Sequence, residues 1–169
     1  MDANEFWGII EDARRPTGRG PEDPSASADN LKKVLSPFSD SDLKEFMVAF
    51  IQRQLELNRW NIWGAGYVIT QGMGDDSFHY FVSWIIGKGR ACYEAALLDP
   101  DTLGDFVKVG EDVDNELLEY VAIELLDKRG LPDPRDSVDG SLDENDPQGE
   151  AFDEDTVNED FPKLAAKFG

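Results

Sequence analysis

One cysteine and one histidine among 169 residues leave several kinds of chemistry without material. A lone Cys92 excludes an internal disulfide and any zinc site built from several thiolates. No apolar run approaches the roughly 18 residues needed to cross a bilayer. The glycine-rich GxGxxG and Walker loops are absent, and so is an HExxH helix, so no nucleotide or zinc-protease fingerprint is present. Ser77 and Ser83 have no identifiable base nearby in sequence, and Cys92 sits among apolar neighbours. Nucleophilic catalysis is unsupported, and no catalytic residue, metal or cofactor is expected.

Basic residues are also scarce, 16 against 36 acids, for a formal net charge of −20. The imbalance is concentrated late. Residues 1–98 carry 14 acids and 10 bases, residues 99–169 carry 22 and 6. Direct binding of nucleic acid or an anionic membrane needs cationic surface and is disfavoured, whereas a basic protein partner would be attracted. The simplest reading of the late acids is solvation of a flexible carboxyl-terminal region. A calcium loop starting at Asp143 fails, because Pro147 and Gln148 stand where an Asp or Asn and a Gly are required. The opening MDANEFWGII is acidic and helix-like and does not read as a secretory signal, so a cytoplasmic protein is expected.

Apolar content of 40% and aromatic content of 11% fit a globular core, and the periodicity is helical. Met1–Arg15 reads as a helix, with Asp2 and Glu5 forming a capping box before Phe6, Ile9, Ile10 and Ala13. The Pro/Gly-rich stretch 14–27 reads as a linker. A short helix follows over 29–35. Capped by Ser39 or Ser41, Leu43, Phe46, Met47, Phe50, Ile51 and Leu55 then form a stripe that makes this the central scaffold helix. A helix over 62–69 tolerates Gly64 and Gly66, which suggests another backbone packing closely, and Gly72 is its natural left-handed stop. Asp75 or Asp76 caps the next helix, and Gly87 and Gly89 break it before a helix over 90–98. One helical turn is expected at 102–106. A longer helix is expected over 111–129, with Val113, Leu117, Tyr120, Val121, Leu125 and either Ile123 or Leu126 inward and Gly130 as its cap.

The expected fold is therefore all-α: a compact multi-helix domain over 1–130 and an acidic, partly irregular carboxyl-terminal region. Residues 131–155 form a Pro- and Gly-containing excursion, and 156–169 return to dock on the core through Phe161, Leu164, Ala165 and Phe168.

The densest chemistry lies between Arg59 and Pro100, which holds three of the four tryptophans, the histidine, the cysteine and the pair Asp75-Asp76. Trp63, Tyr67, Asp75, Asp76, His79 and Arg90 are the candidate ligand-binding residues. The carboxylates and imidazole could coordinate a divalent metal, or act as acid and base, if they converge. An Arg–carboxylate fork beside Trp and Tyr faces suits a planar ligand. Capping by the Asp pair and packing by His79 account for the same residues without a ligand.

FWGIIEDAR at the start and RWNIWGAGYVITQGMGDDSFHYFVSWIIGKGRACYEAALLDPDTL closely resemble the bacterial family called domain of unknown function 4240, over roughly residues 3–121. FPKLAAKF near the end resembles the closing segment of some members. Met73 and Gly74 stand where members often carry Cys or Ser. The resemblance implies a small, bacterial, all-helical cytoplasmic domain and carries no reaction with it. The expected function is a non-catalytic interaction or regulatory domain, such as an immunity or mimic protein that binds a basic partner. The alternative is a small-ligand-binding domain or enzyme using the Asp75/Asp76 region beside Trp63 and Tyr67.

Overall fold

The computed structural model describes residues 1–15, 23–138 and 140–169, and they form a compact all-α domain with no strand among them. The expected linker over 14–27 lies partly outside the described residues. Its described end is helical instead. The first helix, α1 (Ala3–Ala13), has the expected capping box between Asp2 and Glu5. Next, α2 (Pro24–Leu35) starts five residues earlier than read, because Asp23 accepts from Ser25 and Ala26 while Pro24 takes the first helical position. A proline there costs no hydrogen bond, so it marks a start and not a break.

The scaffold helix is α3 (Asp40–Glu56), capped by Ser39. Phe46 and Phe50 are fully buried; Phe46 stacks on Phe6 of α1, with ring centroids 5.3 Å apart. Arg53 lays its guanidinium over Phe6 at 4.2 Å, covering the edge of this cluster. Then come α4 (Trp60–Thr70), α5 (Asp75–Gly87) and α6 (Arg90–Leu98), joined by short turns. The glycines of α4 admit side chains and not a backbone. A Cβ on Gly64 would meet the Phe161 and Phe152 rings, and one on Gly66 would meet Met73 Sδ at 2.6 Å and Phe81 at 2.8 Å.

Two turn details depart from the sequence reading. Gln71, not Gly72, takes the left-handed conformation that ends α4, with φ of 58°. That conformation costs a non-glycine residue about 1 kcal/mol. The turn is held by Gly72 N–H donating to the Tyr67 carbonyl at 3.0 Å, and the Gln71 amide donates to the Phe168 carbonyl at 2.8 Å. Likewise Gly74 is the cap of α5, leaving Asp75 and Asp76 in its first turn with no side-chain capping bond. There they still complement the positive end of the helix dipole.

After a 3₁₀ turn at Pro100–Asp105, α7 (Glu116–Lys128) begins later than position 111. Asp112 and Asp114 accept from the amides of Asp114 and Glu116, and such local side-chain bonds compete with helix. Val113, Val121 and Leu125 are buried as expected, and Leu118 takes the place expected for Leu117. Leu118, Val121, Ala122, Leu125 and Leu126 face inward, while Leu117 is exposed. Helix α7 packs on α2, α3 and α5.

Residues 131–155 lie across the core instead of projecting from it. Leu142 is buried, Asn58 donates its side-chain amide to the Asn145 carbonyl, and Gln148 bridges the backbones of Asn58 and Trp60 at 2.9 Å on each side. Two last helices, α8 (Val157–Asp160) and α9 (Pro162–Phe168), end the chain. Phe161 and Leu164 are buried, and Ala165 and Phe168 pack partly buried on the core. The docking is reciprocal. The largely buried Asp101 carboxylate accepts from the amides of Lys163 and Leu164 at 3.2 and 2.9 Å, while Lys167 Nζ donates to the carbonyls of Gly104 and Val107 at 2.7 Å each.

Each helical end thus satisfies the orphan groups of the other. Asp101→Ala should destabilise the chain by about 1–2 kcal/mol and should raise amide exchange over 157–168 first. Unchanged protection of those amides would contradict this account of the docking.

Candidate functional site

The stacked aromatic residues at the start of α4 form the wall of an open cleft. Trp60 and Trp63, three residues apart on one helix face, stack at 5.1 Å and 14°, and Trp63 stacks on Phe78 of α5 at 4.7 Å and 5°. Trp63 is locked by donating its indole N–H to the Met73 carbonyl at 2.8 Å. Opposite stand Asp75 and Asp76 from the first turn of α5, and Asp143, Asn145, Asp146 and Pro147 from the excursion. The cleft holds about 420 Å³, with four carboxylates and no Lys, Arg or His among its described lining residues. It is an aromatic wall facing fixed negative charge.

Of the six residues singled out by sequence, three line this cleft: Trp63, Asp75 and Asp76. The others face elsewhere. Tyr67 packs on Phe152 and donates its hydroxyl to Glu154 at 3.1 Å, beside a separate recess. Arg90 binds Glu94 and Asn4, tying α6 to α1. The Arg–Asp fork is not formed, since Arg59 donates to the Glu56 carbonyl instead. Among the described residues, no group of three or more His, Cys, Asp or Glu side chains is arranged to hold a metal ion.

His79 is neither a free base nor an apolar packing residue. It sits between two carboxylates, with Nε2 2.8 Å from Glu119 and Nδ1 3.1 Å from Asp143. Glu119 on α7 is 5% exposed, and the same oxygen, Oε2, accepts from the Gln54 amide of α3 at 3.2 Å. Gln54 also donates to Ser83, which is fully buried one helical turn from His79. Burial of the ring favours its neutral form, but Glu119 and then Asp143 outweigh that and raise the pKa from 6.5 to about 9. At neutral pH both ring nitrogens donate, so His79 is an imidazolium clamp with no lone pair left to accept a proton. Burial raises the Cys92 thiol to about 12, which keeps it unreactive.

Gln54, Glu119, Trp60, Asp143 and Asp146 were not singled out from the sequence. The first two had a legible signal. Gln54 continues the buried row Met47, Phe50, Ile51, and Glu119 continues the row Ala122, Leu126, so each is a polar residue on an apolar helical stripe. Asp143 and Asp146 had none, since only the fold brings residues that distant in sequence to His79 and Trp63.

The family model described as "Protein of unknown function (DUF4240)" matches residues 1–128, and the chain belongs to that family. No curated protein and no solved structure matches the chain. The family match covers α1 to α7 and ends before Asp143 and Asp146, so the aromatic wall lies inside it and the facing carboxylates of the excursion lie beyond it. No helix among the described residues is long and apolar enough to cross a membrane.

The His79 clamp gives stability a pH signature. A raised folded-state pKa contributes stability that is complete below about pH 6.5 and lost as pH rises from there through about 9. Denaturant midpoints should therefore fall across that interval in the unmodified chain, and His79→Gln should flatten the fall. The amino terminus, which pairs with Glu45 and also titrates above its usual 8.0, is common to both chains and cancels in the comparison. An identical slope in the variant would exclude His79 as its source.

Proposed function

We propose that this chain is a non-catalytic interaction domain of the bacterial cytoplasm that docks a basic protein, taking an arginine or lysine side chain into the Trp60–Trp63 cleft. The observation that carries the reading is the cleft's composition: two stacked indoles with Asp75, Asp76, Asp143 and Asp146, and no cation among the described lining residues. Indole faces attract cations, and a guanidinium can stack on the ring while donating to carboxylates at its edge. The surrounding charge of −20 adds long-range steering, which speeds association with a basic partner and weakens with salt. An immunity or mimic protein that neutralises a basic partner is a specific form of this reading.

A catalytic reading has less support. His79 has both nitrogens committed to carboxylates and lies on the other side of Asp143 from the aromatic wall. Tyr67 and Arg90 are engaged elsewhere. The Asp pair is exposed and stands beside no nucleophile or general acid among the cleft's lining residues.

Tryptophan fluorescence during titration with an oligoarginine peptide tests the docking. The signal should saturate, reverse with salt, and weaken about tenfold in Asp75→Asn/Asp76→Asn/Asp146→Asn. Neutralising Asp105, Asp112 and Glu159, which lie outside the cleft, should weaken binding far less. Equal losses in the two triple variants would reduce the attraction to bulk charge and overturn the reading.

A further inference from the structure

A second cleft of about 420 Å³ lies on the far side of Asp143, between α3, α5, α7 and the excursion. Its floor is polar and buried, which is costly in a helical core unless every group is bonded. Gln54, His79 and Glu119 form that floor; Asp133 and Arg135 stand at the rim. The two oxygens of Glu119 are treated unequally. Oε2 accepts from Gln54 and His79, while Oε1 accepts no hydrogen bond among the described residues. Arg135 Nη1 stands 3.9 Å from Oε1, beyond hydrogen-bond length. Arg135 is itself held in place, with Nε and Nη2 on the Asp133 carboxylate at 2.7–3.1 Å, so Nη1 is the nitrogen turned towards Glu119. A carboxylate that is nine-tenths buried thus presents an open acceptor to a cleft, beside a fixed guanidinium donor.

We infer that this cleft binds a free α-amino acid, with its ammonium on Glu119 Oε1 and its carboxylate on Arg135 Nη1. An amine alone would meet Glu119 and the other lining carboxylates, Asp133, Asp136, Asp143 and Glu144, but would leave Arg135 Nη1 without an acceptor. A carboxylate alone would gain Arg135 but face Glu119, Asp133 and Asp143. A zwitterion supplies the donor and the acceptor side by side, in the order the cleft presents their complements, and adds no net charge. The volume is in the range of small-molecule sites. His79 is the positioning residue: as an imidazolium it fixes Glu119 through Oε2 and leaves Oε1 for the ligand. The site is separate from the aromatic cleft and stands whether or not a basic protein docks there.

The test is a ¹⁵N-detected titration of the full chain with each of the free amino acids at neutral pH. At least one should give saturable shifts confined to the amides around 54, 79, 119 and 133–144, at concentrations below about 10 mM. Arg135→Gln, at the half-exposed rim, should weaken that binding about tenfold and retain the fold, and Glu119→Gln should weaken it at least as much. Asp75→Asn/Asp76→Asn should leave it unchanged. Ethylamine and acetate, carrying one half of the zwitterion each, should fail to saturate. No saturable shift with any amino acid, or equal binding by ethylamine, overturns the inference.

Discussion

A carboxylate buried in a helical core is the constraint on which the arrangement of the longest helices turns. A carboxylate at this depth needs hydrogen-bond partners, and those of Glu119 come from other elements: Gln54 from α3 and His79 from α5. Apolar packing alone tolerates sliding, because one leucine contact can replace another at similar energy. A charged hydrogen bond does not. Leaving such a charge without its partner typically costs about 3–5 kcal/mol, so α3, α5 and α7 meet in the one register that brings these groups together. Ser83, one turn from His79 and bonded to the same Gln54 amide, extends this node into the fully buried layer.

The same node explains how a strongly acidic segment lies on an acidic protein. Residues 131–155 carry far more acids than bases, and like-charge repulsion alone would lift them into solvent. Three kinds of contact oppose this. Leu142 is buried, Gln148 and Asn145 engage the backbone and side chain of the α3–α4 corner, and His79 holds Asp143. The last is an ion pair, and it draws strength from Glu119, which with Asp143 raises the His79 pKa. The clamp on the excursion is therefore set from inside the core.

What could be read from the sequence follows from the range of the interactions involved. Helices α1, α3 and α6 announce themselves through local periodicity and caps, and their bounds lie close to those expected. The family resemblance was also legible, because its Trp, Asp and Gly positions keep fixed intervals. Structure and expectation part where a local bond competes with a local propensity. Asp112 and Asp114 turned the expected start of α7 into a bonded loop, and Pro24 opened a helix where proline had suggested a linker. The site was only half legible. Trp63 and the Asp pair stand out in any reading, whereas Glu119 and Gln54 are hidden by being polar on stripes read for apolar residues. Asp143 could not be found at all, since nothing near it in the chain indicates that it faces His79.

Asp143 also bears on how the two clefts relate. It lines both, and one of its oxygens is already committed to the His79 ring. A rotation of Asp143 towards a cation among the indoles would withdraw a carboxylate from His79 and leave Glu119 as the ring's remaining anionic partner. A change at Glu119 reaches Asp143 by the same route in reverse, because the imidazolium charge depends on both. Linkage requires that such effects be reciprocal: whatever one cleft does to the free energy of the other, the other does in return. The wall between the clefts is thus an ion pair whose His79 and Glu119 lie within the family-matched residues and whose Asp143 lies beyond them, so any coupling would combine this chain's excursion with helices inside the match.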